Sequence, residues 1–390
     1  SKDCYVWDLE NKKFIDMVFA VGTNVLGYNF KKLDHQIHKT INMGNMTSLN
    51  SFEEVILAKQ LLKINKWAGM VKFARSGGEA NTISIRIARA FNKNKQNIAA
   101  CGYHGWHDWY LSSNLSNKKN LNNYISKNIK IDGVNKKLKN TTYLYKYNKL
   151  TRLEKILKNK KIRIINMEVQ RTIKPEGNFL KKVRLLANKY KVVLIFDECT
   201  SGFRETYGGL HKSFGVYPDI AIYGKAIGNG YAITAIVGKK KIMKACSNTF
   251  LSSTFWSERI GLVAAIETLK IMKKKRTWIT IKKYGKYIKE QWHKLSKKNN
   301  IQLDILGIDS MPQFRFKKDH NLLKTYISDQ MLKKGFLASN IVYVYPINKK
   351  NIIDKYIKEL DKVFYKISKM KKPKNQIKLI EAHTEIKRLN

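Results

Sequence analysis

Lys225 and Asp197 are the residues of this sequence whose types and setting best suit catalysis. Lys225 lies among glycines in segment 223–230, YGKAIGNG, and Asp197 follows the apolar run 192–196, VVLIF. A lysine amine can form a Schiff base with an aldehyde, and a carboxylate can keep a pyridine nitrogen protonated. Together they would hold pyridoxal phosphate, whose ring accepts electrons from a substrate carbon. Separately, Lys225 can be a solvated loop residue and Asp197 a helix cap.

Two further segments offer groups that this cofactor needs. Ser76-Gly77-Gly78 lies between an apolar segment and a predicted helix, and amides at a helix N-terminus bind phosphate esters. A Gly-Gly turn alone is commonly structural. Because this one precedes the Tyr103 and Lys225 motifs in the chain, we interpret it as a phosphate-binding loop. Tyr103 follows a strand-like segment, where its ring can stack on the pyridine, and His104 contacts the ring or fixes the loop.

These motifs together resemble those of class III aminotransferases, nearest to glutamate-1-semialdehyde aminomutase and related aminotransferases. The resemblance extends over nearly the whole chain. Its segments are 5–8 (YVWD), 13–16 (KFID), 26–29 (LGYN), 76–81 (SGGEAN), 103–105 (YHG), 194–204 (LIFDECTSGFR), 214–220 (FGVYPDI), 253–256 (STFW) and 387–390 (KRLN). In this family further residues precede the opening hairpin, so an N-terminal segment is expected before Ser1.

The resemblance implies an α/β fold of the pyridoxal-phosphate-dependent transferase fold type I. This fold has a mostly parallel central sheet flanked by helices and a smaller C-terminal α+β domain. Short apolar runs that alternate with helical-looking segments independently predict a parallel sheet covered on both faces. We assign residues 1–45 to an N-terminal hairpin segment that packs with the small domain. Residues 46–258 form the large cofactor-binding domain, and 259–390 the C-terminal small domain.

The resemblance also implies a role for each site residue. The catalytic residues are Lys225, Asp197, Tyr103 and Glu168, and the cofactor-binding residues are Ser76, Gly77, Gly78, Tyr103, His104, Asp197, Lys225 and Thr254. Thr254 resembles the residue that reaches the phosphate of the partner subunit, which implies a homodimer with composite active sites. The alternative is that Thr254 caps a helix beginning near Glu258.

The sequence departs from the family pattern at three places. Gly78 stands where the family has Thr or Ser, so one side-chain hydrogen bond to phosphate is missing. Val169 replaces the proline that usually follows Glu168, and an expected histidine is replaced around Ile347-Asn348. The last difference, together with the lack of the N-terminal segment that contacts substrate in the family, means that the motifs do not identify the substrate. His107 is not assigned to a metal site, because it lacks a nearby carboxylate and cysteine pattern.

The predicted function is pyridoxal-phosphate-dependent transfer of an amino group between a small-molecule amino donor and a carbonyl acceptor. One alternative is an intramolecular aminomutase of the glutamate-1-semialdehyde type, which uses the same catalytic groups. A different class of protein, a non-catalytic basic binding protein on a decayed enzyme fold, is disfavoured because Lys225, Asp197, Tyr103 and the glycine loop occur together.

The formal charge of +47 reflects composition more than a binding surface. Lysines are spread from end to end among many Asn and Ile residues, which predicts no specific nucleic-acid partner. Four scattered cysteines indicate a reducing compartment, and no apolar run is long enough to cross a bilayer. We therefore expect a cytoplasmic protein without a membrane partner.

Residues 113–140, rich in Asn, Lys and Ser, are interpreted as a mobile surface excursion.

Overall fold

The computed structural model describes residues 1–93, 96–125, 129–347 and 349–379. Its strands are β1 Tyr5–Trp7, β2 Lys13–Asp16, β3 Met70–Ala74, β4 Asn97–Cys101, β5 Thr142–Leu144, β6 Ile162–Glu168, β7 Val193–Glu198, β8 Ile220–Tyr223, β9 Thr234–Gly238, β10 Leu303–Leu306, β11 Gln313–Phe316 and β12 Phe336–Leu337. Position 348 and the 387–390 motif, both used in the family comparison, lie outside the described residues.

Fourteen helical segments of the described chain carry α labels. They are α1 Phe19–Gly22, α2 Lys31–Asn42, α3 Phe52–Ile64, α4 Gly77–Asn92, α5 Asp108–Leu111, α6 Ser113–Ser116, α7 Leu150–Asn159, α8 Phe179–Lys189, α9 Lys240–Met243, α10 Arg259–Lys275, α11 Thr277–Lys298, α12 His320–Lys333, α13 Lys350–Ser368 and α14 Pro373–Gln376. Short 3-10 helices include Lys225–Gly228 and Thr254–Ser257. Within the described ranges, no helix combines the length and apolar character needed to span a membrane.

The chain divides into two compact units. The terminal unit contains Ser1–His35, Arg171–Lys174 and the described residues from 270 onward, and the central unit contains Gln36–Gln170 and Pro175–Leu269. The domain limits expected from the sequence, after residues 45 and 258, stay a prediction.

A seven-stranded sheet forms the core of the central unit, in the order β3-β9-β8-β7-β6-β4-β5. β8, β7, β6, β4 and β5 run parallel to one another, whereas β9 is antiparallel to both β8 and β3. Every residue of β7, β8 and β9 is buried. Strands covered on both faces need continuous apolar runs, which explains the VVLIF pattern. The predicted mostly parallel α/β sheet is confirmed.

Helix α4 packs its apolar face against this sheet. Ala80, Ile83 and Ile87 are buried in the same core cluster as strand residues of β6 to β9. The helix begins at a capping box, in which the Ser76 hydroxyl accepts from the Glu79 amide and the Glu79 carboxylate accepts from the Ser76 amide. This reciprocal pair fixes where the chain turns from β3 into the helix.

The terminal unit has its own sheet and aromatic core. β1 and β2 form an antiparallel hairpin, and β12 pairs with β2 in parallel. β10 and β11 form a second antiparallel pair. The Phe314 ring lies edge-on to those of Trp292 and Phe364, with centroids 4.8 and 5.7 Å away. These contacts join β11 to α11 and α13.

The interpretation of residues 113–140 as a surface excursion is wrong for part of the segment. Leu121 is fully buried, and its amide donates to Oδ1 of buried Asn114 at 2.9 Å. Tyr124 donates through its hydroxyl to the Tyr145 carbonyl at 2.5 Å. A single apolar residue in a polar stretch is enough to anchor it, because burial of one leucine contributes roughly 1.5–3 kcal/mol.

Candidate active site

The predicted site residues follow strands that end at the same edge of the central sheet. β4, β6, β7 and β8 are parallel, and β3 runs in their direction because β3 and β8 are both antiparallel to β9. Ser76-Gly77-Gly78 follows β3, and Tyr103 and His104 follow β4. Glu168 is the last residue of β6, Asp197 is the penultimate residue of β7, and Lys225 follows β8. Ligands of open α/β sheets bind at this edge.

Asp197 is a buried carboxylate held by three donors. Its Oδ2 atom lies 2.8 Å from Nδ1 of His104 and accepts from Nδ2 of Asn81 at 2.9 Å. Its Oδ1 atom accepts from the Cys199 amide at 3.1 Å. Burial alone raises the pKa of Asp197, but the hydrogen bond and charge of His104, with the Cys199 and Asn81 donors, lower it below its usual range. The group is therefore an anion at neutral pH.

Asn81 and Asn166 belong to this network, although sequence reasoning did not identify either residue. Asn166 donates through Nδ2 to Oδ1 of Asn81 at 2.8 Å. This contact fixes the orientation of the Asn81 amide, so that its nitrogen faces Asp197. The available signal was the polar Asn166 inside the apolar run of β6, since a fully buried amide requires partners.

The turn from β3 into α4 presents backbone amides of the kind that bind anions. The first amides of a helix have no intrahelical acceptor. At Gly77, a Cβ atom would lie 3.2 Å from Sγ of Cys199, and at Gly78 it would lie 2.7 Å from the His107 ring. Glycine at both positions lets the neighbouring side chains approach the backbone closely. The amides of the first turn suit a phosphate ester.

Glu168 fixes the loop that carries Tyr103. Its Oε2 atom accepts from the Tyr103 amide at 3.1 Å. A side chain at Gly102 would collide with this carboxylate, since its Cβ would lie 2.7 Å from Oε2. Tyr103 itself is 36% exposed. Glu168 thus positions the backbone of Tyr103.

Lys225 has an unusual backbone conformation. Its φ angle is 41°, in the left-handed region that non-glycine residues rarely occupy. The residue follows Gly224 directly after β8 and begins a 3-10 helix, and its side chain is half-buried. Strain of this kind persists where the surrounding structure fixes it, and it occurs frequently at active sites.

Arg75 fastens the segment that contains Thr254 to the β3–α4 turn. Its guanidinium donates to the carbonyls of Phe255 at 2.6 Å, Trp256 at 2.8 Å and Glu258 at 2.8 Å. Thr254 is exposed at the start of the Thr254–Ser257 turn. At the start of α10, the amide of Gly261 donates to the Glu258 carboxylate at 3.1 Å. Glu258 therefore provides the capping interaction that was considered for Thr254.

Over the described residues, groups of three or more His, Cys, Asp or Glu side chains that could hold a metal ion are absent. The polar groups of the site instead offer one amine, one buried anion and one helix N-terminus.

A family model for class-III aminotransferases matches residues 1–364. The chain belongs to this family. Class III membership makes the protein an enzyme that transfers an amino group, as predicted, and implies pyridoxal phosphate as its cofactor. The hypothesis of a non-catalytic binding protein is not supported.

Curated relatives of this class III enzyme include both predicted branches. The chain is 33% identical over 342 residues to 3-aminobutyryl-CoA aminotransferase of Cloacimonas acidaminovorans, covering 84% of this chain and 78% of the relative. It is 30% identical over 397 residues to glutamate-1-semialdehyde 2,1-aminomutase of Wigglesworthia glossinidia brevipalpis, covering 93% and 89%.

Solved structures confirm the transferase fold type I. An omega-transaminase from Sphaerobacter thermophilus superposes with a TM-score of 0.84 at 16% identity, covering 95% of this chain and 91% of that chain. Ornithine delta-aminotransferase of Plasmodium falciparum gives 0.76 at 19% identity, covering 94% and 92%. These likenesses concern the fold alone.

Proposed function

We propose that this chain binds pyridoxal phosphate at the carboxyl edge of the central sheet and transfers an amino group from a small-molecule donor to a carbonyl acceptor. The observation that carries the proposal is the buried Asp197 carboxylate, kept ionised by His104, Cys199 and Asn81. Lys225 and the α4 N-terminus follow strands that end at the same edge. An aldehyde, a pyridine nitrogen and a phosphate match these three groups.

Each residue has a defined task in this proposal. Bound pyridoxal phosphate would supply an electron sink for negative charge at the substrate carbon. Asp197 would hold a proton at the ring nitrogen, because a nearby anion favours the protonated base. Tyr103 would pack against the ring, and Glu168 would keep the Tyr103 backbone in place. Ser76, Gly77 and Gly78 would bind the phosphate through the first turn of α4.

Lys225 has two tasks that require the same amine. It would hold the cofactor aldehyde covalently between turnovers. Once displaced by a substrate amine, the free Nζ would act as a general base and then as a general acid, moving one proton between two carbon atoms. The left-handed backbone conformation of residue 225 sets the direction in which the Lys225 side chain leaves the main chain.

An intramolecular aminomutase is the second candidate, because relatives at 30–35% identity carry that name. The two activities differ in their need for an acceptor. An aminotransferase given a donor alone should release at most about one equivalent of carbonyl product per site. Multiple turnovers should begin only when an acceptor is added. An aminomutase should consume glutamate-1-semialdehyde catalytically as the sole substrate.

The test is a donor screen that includes 3-aminobutyryl-CoA and glutamate-1-semialdehyde, with product release measured before and after an acceptor is added. Acceptor-dependent turnover supports the proposal, and turnover of glutamate-1-semialdehyde alone favours the aminomutase. If the parent protein neither binds pyridoxal phosphate nor releases product from any donor, the proposed site is wrong.

We further propose a homodimer with composite sites, in which Thr254 reaches the partner's cofactor phosphate. Exposed apolar side chains of this segment, of α3 and of the chain just before α3 support it: Phe255, Phe52, Val55 and Leu49 are 64%, 61%, 55% and 83% exposed. Such surfaces are more typical of interfaces than of solvent-facing helices.

We also propose a cytoplasmic location. All four cysteines are unpaired, which supports it.

A further inference from the structure

The imidazole of His107 occupies the space where residue 78 would carry a side chain. A Cβ atom at Gly78 would lie 2.7 Å from both Cε1 and Nδ1 of His107. Real Cβ atoms do not approach other atoms so closely, so the ring and a side chain at residue 78 exclude each other. The chain therefore brings a histidine from the loop after β4 to the first turn of α4.

Several contacts hold this loop against α4. Thr82 donates to the Gly78 carbonyl at 3.0 Å and accepts from Nε1 of Trp109 at 3.2 Å. A Cβ atom at Gly105 would lie 3.1 Å from the Gly78 Cα atom, so the two backbones are adjacent. The Trp106 ring stacks on His107 with centroids 4.6 Å apart and an interplanar angle of 21°. The imidazole is thus fixed in position and in plane.

Nδ1 of His107 is a buried polar atom without a hydrogen-bond partner among the described residues. The residue precedes α5, but its side chain does not cap that helix. Buried nitrogen atoms normally have a hydrogen-bond partner, and leaving one without a partner destabilises the protein. An acceptor bound at the α4 N-terminus would satisfy it.

We propose that His107 is a ligand of the cofactor phosphate and supplies the side-chain hydrogen bond that Gly78 lacks. This inference rests on the proposed function, because the anion in question is the phosphate of pyridoxal phosphate. The His107 imidazole, which comes from the loop after β4, takes the place of the hydroxyl that Thr or Ser would supply at position 78.

The protonation state determines the kind of contact. Burial lowers the pKa of His107, although the charges of Glu79 and Asp108 act in the opposite direction. A neutral imidazole has one N–H donor and one acceptor. His107 therefore contributes a directional hydrogen bond to the phosphate when Nδ1 carries the proton.

The test compares affinities of the full-length apoprotein for pyridoxal phosphate and for pyridoxal, which lacks only the phosphate. The ratio of the two Kd values isolates the phosphate contribution from the contacts of the ring and aldehyde. His107→Ala and His107→Leu should each lower this preference about 10-fold or more, as expected for one hydrogen bond to a charged group. His107→Asn, which retains a donor near the position of Nδ1, should keep most of it.

A compensating substitution makes the test sharper. Gly78→Thr alone should lower both the thermal midpoint and the phosphate preference, because the new side chain collides with the ring. In the His107→Ala background that space is vacant, so adding Gly78→Thr should restore the preference. His293→Ala is the matched control, since it removes an exposed imidazole elsewhere and should leave the ratio unchanged.

The outcomes separate this inference from the proposed function. A parent protein without any preference for the phosphorylated form would overturn the proposed site. A parent with the preference, whose Ala and Leu variants retain it within about two-fold, would overturn the role of His107 alone. If His107→Ala does not fold by circular dichroism, the contrast between His107→Asn and His107→Leu decides, and equal ratios in these two variants refute the inference.

Discussion

Asn81 joins the first turn of α4 to the buried carboxylate of Asp197. Its Nδ2 atom donates to Oδ2 of Asp197 at 2.9 Å and to the Gly77 carbonyl at 2.9 Å. One amide group therefore bonds both to the turn proposed for phosphate and to the residue proposed for the ring nitrogen. The two ends of the proposed cofactor site form a single hydrogen-bonded unit within the chain.

Asn81→Leu should destabilise the apoprotein by about 1–3 kcal/mol at pH 7, because it removes a donor from a buried carboxylate. Chemical unfolding measures the loss. Asn92→Leu is the matched control, because Asn92 also lies on α4 and donates to the carbonyl four residues earlier, Ala88, at 2.8 Å, without reaching a carboxylate. Equal losses in the two variants would mean that Asn81 matters only to the helix.

Lys225→Ala should abolish turnover, because the substitution removes both the covalent attachment point and the proton-transfer group. Pyridoxal phosphate should still bind through its phosphate and ring contacts. Borohydride reduction followed by mass spectrometry should find the cofactor attached to the parent but not to the variant. Lys241→Ala, an exposed lysine of α9, should behave like the parent. Normal activity of Lys225→Ala would refute the mechanism.

Asp197→Asn should keep the fold and slow turnover by about 100-fold or more, by analogy with the removal of one electrostatic group from an active site. The amide cannot stabilise a protonated ring nitrogen by charge. Steady-state kinetics at saturating cofactor, with circular dichroism as the folding check, measures the effect. Parental rates would make Asp197 a structural residue, and exposed Asp108→Asn provides the control.

Composite sites can be tested by mixing two variants. Lys225→Ala protomers lack the amine, and Thr254→Ala protomers should bind cofactor about 10-fold more weakly for want of one hydrogen bond to phosphate. At limiting cofactor both homodimers should be nearly inactive. A mixed dimer with composite sites has one intact site, so subunit exchange should restore activity. No recovery after verified exchange would assign Thr254 to its own subunit.

His320 should make the protein less stable in mild acid. It is half-buried at the start of α12, and burial, together with the charges of Lys324 and Arg315, lowers its pKa from 6.5 to about 4. The folded state stays neutral while the unfolded state binds a proton. Its contribution to stability is therefore complete above pH 6.5 and is lost as the pH falls toward 4.

His320→Asn keeps an acceptor for the Phe316 amide, which donates to Nδ1 of His320 at 3.4 Å. Between pH 7 and pH 4.5 this variant should lose about 1–2 kcal/mol less unfolding free energy than the parent, a value reduced for partial exposure. Denaturant unfolding at the two pH values measures the difference. Parallel pH profiles would contradict the assignment, and exposed His293→Asn is the control.

Local patterns predicted the elements and the residues that the family motifs mark. Most of the run 192–196 lies in β7, the helix predicted after Ser76-Gly77-Gly78 is α4, and the strand-like segment before Tyr103 is β4. These features depend on neighbours close in sequence. Asn81, Asn166 and Arg75 act through partners between 85 and 183 residues away, and a single sequence does not report such pairings.

The position of β3 has a consequence for biosynthesis. Among the strands of the described residues, β3 lies at the edge of the central sheet and pairs with β9, more than 150 residues further along the chain. During synthesis β3 must wait unpaired until the ribosome has released residues 234–238. Because exposed strand edges promote association between chains, the nascent protein is exposed to aggregation through β3 during this interval.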